Sequence, residues 1–99
     1  LVGTPAVAVG RTSAWAQYTI RTERRDELAK HLAAVGIPTA IYYPRCLHEQ
    51  PAYANGAGAR SSLPNASSLA RTVLSLPMHP YLEQSSQDRI AEAISEFCT

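Results

Sequence analysis

Between Tyr42 and Tyr53 the chain packs three phenols, an imidazole, an amide and a guanidinium into one short run: Tyr42-Tyr43-Pro44-Arg45-Cys46-Leu47-His48-Glu49-Gln50-Pro51-Ala52-Tyr53. Aromatic faces stack on sugars or bases, and Arg, His and Gln donate to hydroxyl and phosphate oxygens, so the run reads as the lining of a polar pocket. A purely structural reading fits the pattern as well, with Tyr43 and Leu47 in the core, His48 capping a turn and Arg45 in solvent. The run Leu74-Ser75-Leu76-Pro77-Met78-His79-Pro80 is similar in kind. There Met78 reads as core filler and His79 as local structure, and Trp15 reads as packing.

Other chemistries find less support. No serine sits in a G-x-S-x-G elbow, and Asp26 and Asp88 fall in the first turns of solvated helices, which argues against a hydrolase triad. His31, His48 and His79 are widely spaced and no C-x-x-C occurs, so no metal site is expected. Arg21, Arg24 and Arg25 cluster at a helix start, where the dipole offers them nothing, and read as a solvated face. The run from Gly56 through Gly58 to Arg60 suggests a mobile hairpin tip more than a phosphate loop, since no good strand feeds it. Lys30 is the only lysine, on the side of its helix that should face water, where nothing would desolvate it.

The elements that must position these residues follow in order. Ala14 to Ile20 alternates as a strand with two unlike faces. Thr22 can cap a helix carrying Leu28, Leu32 and Val35 on one stripe, ended by Gly36 at C′. Thr39 to Tyr43, between Pro38 and Pro44, is a short β-branched and aromatic strand. Residues 44 to 63 form an irregular excursion with room for one turn over Leu47 to Tyr53. Pro64 opens a helix to about Val73, with Ala66, Leu69, Ala70 and Val73 on one face. Leu74-Ser75-Leu76 makes a three-residue strand, and Ser85 with Asp88 opens a last helix whose stripe is Ile90, Ile94 and Phe97. The order β-α-β-loop-α-β-α predicts a two-layer α/β (α+β) sandwich, with a sheet of about three strands covered on one face by helices.

Composition bounds the function. Ninety-nine residues allow one small core, expected to bury about two-thirds of the unfolded chain's surface and to expose roughly 5,500 Å², so that the domain stands alone. Nine Lys+Arg against eight Asp+Glu give no basic face for nucleic acid. Cys46 and Cys98 make no disulfide framework, and a reducing, cytoplasmic compartment is expected. Leu1 to Gly10 is too short and too broken to be a signal peptide or a membrane span, and no membrane partner is expected. Residues 1–12 read as a linker and 13–99 as the domain. A start at Leu1 suggests a piece of a longer protein.

Five blocks, taken together, resemble a known family. They are Ser13 through Ile20, Arg25 through Leu28, Gly36-Ile37-Pro38, Tyr43-Pro44-x-x-Leu47-His48-x-Gln50-Pro51-Ala52-Tyr53, and Val73 through Leu82. In order and spacing they resemble the C-terminal small domain of the DegT/DnrJ/StrS sugar aminotransferases, with the match running from about residue 12 to the end. The resemblance implies a fold-type-I parent enzyme, a cytoplasmic homodimer that uses pyridoxal phosphate to move an amino group to a keto group on a nucleotide sugar. Its wording is nearest to the branch acting on UDP-linked 3-keto-2-acetamido hexuronic acids for surface polysaccharides. It also implies that the cofactor and its lysine belong to an N-terminal large domain missing here. Lys30 does not match the family's catalytic position, so this chain alone should bind no pyridoxal phosphate and should not transaminate. Tyr43, His48 and Gln50 match the segment that approaches the substrate. Tyr42 stands where many relatives have His, and Cys46 where Pro is common. The competing reading is a stand-alone, non-catalytic ligand- or partner-binding α/β module. An orphaned apolar face would favour the aminotransferase reading over that one.

Overall fold

A computed structural model describes residues 1–56, 58 and 62–99. Two antiparallel strands, β1 (Tyr18–Arg21) and β2 (Val73–Leu76), pair Tyr18 with Leu76, Thr19 with Ser75, Ile20 with Leu74 and Arg21 with Val73. Side chains alternate across a sheet, so Ile20 and Leu74 share one face while Thr19 and Ser75 share the other. There the two hydroxyls hydrogen-bond to each other at 2.8 Å. Single bridges extend the pair on both sides, Gly3 to Arg21 beside β1 and Ala40 to Ser75 beside β2.

Three helices complete the fold: α1 (Arg25–Ala34), α2 (Pro64–Thr72) and α3 (Gln84–Cys98). Helices α1 and α3 pack against each other and cover the Ile20/Leu74 face. Leu28 and Leu32, one turn apart on α1, join Ile20 and Leu74 as the largest fully buried side chains, with Ile90 and Ala93 of α3 beside them. Each such aliphatic burial is worth about 1.5–3 kcal/mol. The α/β architecture with helices on one face is the one the sequence predicts.

Several expectations change in detail. The strand expected from Ala14 begins only at Tyr18; Trp15 adopts φ +48, a left-handed conformation that interrupts the extended chain before it. The middle strand expected over Thr39 to Tyr43 shrinks to the one bridge at Ala40, which exchanges both backbone bonds with Ser75. Pro38 and Pro44, without N–H groups, leave little ladder between them. Thr22 does not cap α1 directly. Its Oγ1 accepts the Arg24 N–H at 3.3 Å, a turn that delivers Arg24 as the N-cap. Helix α3 starts at Gln84 after an N-cap Glu83, with no side-chain cap from Ser85. The Val35 end of the α1 stripe is exposed. Within the segment read as a linker, Gly3 bridges to β1 and Val2 packs against the core.

The end of α1 follows the sequence closely. Gly36 sits at φ +76, its N–H reaches the Ala33 carbonyl at 3.0 Å, and the Ile37 N–H reaches Leu32 at 2.9 Å, the paired bonds of a Schellman motif. The Arg89 guanidinium adds a hydrogen bond to the Val35 carbonyl. A Cβ at Gly36 would meet nothing nearer than Arg89 Nη2 at 3.8 Å, so the penalty of Gly36→Ala is conformational. It should destabilise the chain by about 1–2 kcal/mol, read as a lower urea midpoint at unchanged m-value.

The accessible surface is 7387 Å². This exceeds the roughly 5,500 Å² of a compact monomer of this mass and corrects that expectation. Extents of 49 × 36 × 23 Å and a radius of gyration of 15.8 Å agree, since about 13 Å is usual at this length. Much of the N-terminal segment before β1 is exposed, as are described parts of the loop after Ile41 and of α2.

Candidate functional site

The excursion after Ala40 is shaped by two 3₁₀ turns, Leu47–Glu49 and Pro51–Tyr53. Gln50 joins them in an extended conformation: its N–H closes the first turn on Leu47 O at 3.1 Å, and its carbonyl accepts the Tyr53 N–H at 2.9 Å. The single turn expected here is therefore two. Against this wall stands α2, with Pro64 at its first position, and between them lies an open groove of about 760 Å³. Tyr42, Tyr43, Leu47, His48 and Tyr53 form one side, Leu63, Ala66 and Leu69 the other, and Val73 lies at the base.

Two of the three predicted site residues, Tyr43 and His48, line this groove, and Gln50 does not. Tyr43 is 71% exposed and meets Tyr42 edge-on, with ring centroids 5.7 Å apart. His48 is largely covered, its Nε2 3.9 Å from the Glu49 carboxylate. The structural alternative for this segment fails for Tyr43 and Leu47, since both are exposed. Cys46 is the residue that turns inward, with its thiol 3.9 Å from Ser67 Oγ. Arg45 is exposed and also lines the groove. Tyr42 borders a second hollow of about 300 Å³ with Gln17, Ser75, Leu76, Pro77 and Met78. Met78 therefore lines a surface hollow, while His79 has the local role expected, its Nδ1 accepting the Tyr81 N–H at 3.2 Å.

The sequence places Ala66, Leu69, Ala70 and Val73 on one face of this helix, and of these Val73 is buried while Ala66 and Leu69 are exposed on the groove. An apolar stripe marks a face that something covers, and periodicity is blind to what covers it. Tyr42, Tyr43, Leu47, Tyr53, Leu63 and Leu69 make this face the main collection of exposed large apolar side chains among the described residues. The arginine cluster also resolves unevenly. Arg24 stays on the surface, paired with Glu27 at 2.8 Å and lying 4.3 Å over the Phe97 ring, and its hydrogen bond to Glu27 holds its pKa above the ordinary value. Arg25 is buried.

Among the described residues no group of three or more potential metal ligands gathers, and no helix is long and apolar enough to cross a membrane. The Gly-rich tip falls partly outside the described residues, at Ala57, Ala59, Arg60 and Ser61. Pyridoxal phosphate requires an aldimine lysine, a carboxylate for its ring nitrogen and a phosphate cup. Lys30 is exposed on α1 and does not border the groove, and no Asp or Glu borders it either, so the residues of this chain do not fit that group.

The model of the DegT/DnrJ/EryC1/StrS aminotransferase family matches residues 2–95. A dTDP-3-amino-3,4,6-trideoxy-alpha-D-glucose transaminase of Streptomyces venezuelae is 47% identical over 97% of this chain, which covers 25% of that protein. A UDP-2-acetamido-2-deoxy-3-oxo-D-glucuronate aminotransferase of Pseudomonas aeruginosa is 42% identical over 95% of the chain, again covering 25% of the relative. The crystal structure of a DegT DnrJ EryC1 StrS aminotransferase from Brucella abortus superposes with a TM-score of 0.89 at 48% identity, over 97% of this chain and 26% of that one. The chain thus spans about a quarter of the length of the relatives it matches.

Proposed function

Because this chain belongs to the DegT/DnrJ/EryC1/StrS aminotransferase family, we propose that it is the C-terminal small domain of a nucleotide-sugar aminotransferase dependent on pyridoxal phosphate. Its groove would form the sugar side of a cleft completed by an N-terminal large domain that supplies the cofactor and its lysine. The observation that carries this reading is the open groove joining Tyr43 and His48 on an exposed apolar face.

Within this reading the groove binds and orients, and excludes water when the cleft closes. Tyr43 presents a phenol and an aromatic face to the sugar, and His48 presents an imidazole, both supported by their place on the groove wall. Gln50 contributes through its backbone, which closes the turn that carries His48. The two named relatives differ in nucleotide and in the sugar's C6 group, but both names put the exchanged nitrogen or the oxo group at C3. We therefore propose a 3-keto hexose as substrate, with a UDP-linked 3-keto-2-acetamido hexuronic acid, used for surface polysaccharide, as the favoured member. The parent would be a cytoplasmic homodimer.

The test is to supply the full-length protein with glutamate and either the UDP-linked 3-keto-2-acetamido hexuronic acid or a dTDP-linked 3-keto deoxyhexose, following 3-amino sugar by mass spectrometry. Product from the first and none from the 99-residue chain alone is expected. An amide titration of the chain should show shifts at Tyr43 and His48 with the sugar nucleotide and none at Lys30 with pyridoxal phosphate. A full-length protein that binds the sugar nucleotide but forms no amino sugar from either substrate would be a binding module instead.

A further inference from the structure

Helix α2 forms one side of the groove, yet it rests lightly on the fold. Its apolar residues Ala66 and Leu69 are exposed, and none of its packing against other elements matches that between α1 and α3. No loop separates it from the sheet, since Thr72 ends the helix and Val73 begins β2. A helix that stops so abruptly leaves its last carbonyls without intrahelical partners, and buried carbonyls must find them. They find them in Thr22, between β1 and α1, and in Arg25, the first residue of α1. The Thr22 N–H donates to the Thr72 carbonyl at 3.0 Å. The Arg25 guanidinium donates from Nη1 to the Ala70 carbonyl at 3.3 Å and to the Val73 carbonyl at 3.4 Å, while its Nε holds the Asp26 carboxylate at 2.5 Å.

Arg25 is 9% exposed, and it opens α1, where the helix dipole disfavours a cation. Its head group instead reaches the C-terminal end of α2, where the dipole favours positive charge and free carbonyls accept charge-assisted bonds. Ala70 and Val73, whose carbonyls it takes, both border the groove.

We propose that Arg25 is a positioning residue: its guanidinium clamps the α2–β2 junction and thereby sets the α2 side of the groove against the Tyr43–His48 side. The part of this inference that concerns substrate rests on the reading of the groove given above, while the clamp itself does not. An ammonium cannot span two carbonyls and a carboxylate in the same planar fork, so lysine should replace arginine poorly here.

The test uses the full-length protein with Arg25→Lys and Arg25→Gln, and with Arg24→Gln as a surface control. Hydrogen exchange of the α2 amides should accelerate about tenfold in both Arg25 variants, the loss expected for one charge-assisted contact, with α1 and α3 unchanged. KM for the sugar nucleotide should rise by a similar factor of about ten with kcat nearly kept, and Arg24→Gln should leave both readouts at wild type. Unchanged α2 exchange, or equal acceleration in all three helices, would overturn the clamp. Faster α2 exchange with unaltered sugar-nucleotide KM would keep the clamp and overturn its link to the groove. If Arg25→Gln does not fold, Arg25→Lys, which keeps the charge and loses the fork, decides alone.

Discussion

Replacing Leu74 with alanine should lower the unfolding free energy of the chain by about 2–5 kcal/mol, measured from urea denaturation at constant m-value. Leu74 is 0% exposed, sits in β2 between β1 and the Ala40 bridge, and pairs with Ile20 while Leu28 and Leu32 pack in the same cluster. Deleting its branched end leaves a cavity in the cluster that β1, β2, α1 and α3 share, where close packing gives relaxation little room to fill it. A chain of this length has a total stability of about 5–15 kcal/mol, so the loss could take most of the margin. Leu69→Ala, on the exposed side of α2, should cost less than about 1 kcal/mol in the same assay. Equal losses at the two positions would mean that the fold is not centred on Ile20, Leu28, Leu32 and Leu74.

This contrast also explains what could be read from residue order alone. The Leu28/Leu32 part of the α1 stripe, its end at Gly36 and the short strand at Leu74-Ser75-Leu76 depend on short-range chemistry, and all three appear in the structure. The start of β1 was hidden because alternation from Ala14 to Ile20 looks unbroken, while the left-handed Trp15, bonded to Ser13 Oγ through its N–H, breaks the extended chain before the strand begins. Arg25 was hidden for the opposite reason. Next to Arg24 it looks like one of a solvated pair, and only the folded chain brings the Ala70 and Val73 carbonyls to it across 45 and 48 residues. The site was half legible. The residue types of the 42–53 run pointed to a polar pocket and the resemblance singled out Tyr43 and His48 within it, whereas the opposing α2 wall carried only an apolar stripe, whose exposure the residue order does not show.

Tyr43→Phe and His48→Asn, made separately in the full-length protein, should each lower kcat/KM for the sugar nucleotide about 10- to 100-fold, the range expected from losing one hydrogen bond to a polar or charged ligand group. Tyr43 gives the cleaner experiment. Its side chain is exposed and has no hydrogen bond within the described residues, so removal of its hydroxyl should change the unfolding free energy by less than about 0.5 kcal/mol. Any kinetic loss then belongs to the ligand and not to the fold. His48 is more enclosed, and asparagine is chosen because it keeps a polar group near the Glu49 carboxylate while removing the ring. Leu47→Ala, on the same wall and equally exposed, removes apolar area without a donor and should cost no more than about threefold, since only part of its surface is covered when ligand binds. The losses should appear mainly in KM, because contacts that bind and orient the sugar nucleotide without taking part in the bond changes grip substrate and transition state alike. If Tyr43→Phe and His48→Asn both turn over sugar nucleotide at the wild-type kcat/KM, the groove is not the sugar side of the cleft. Its exposed tyrosines would then be surface that the large domain covers in the assembled protein.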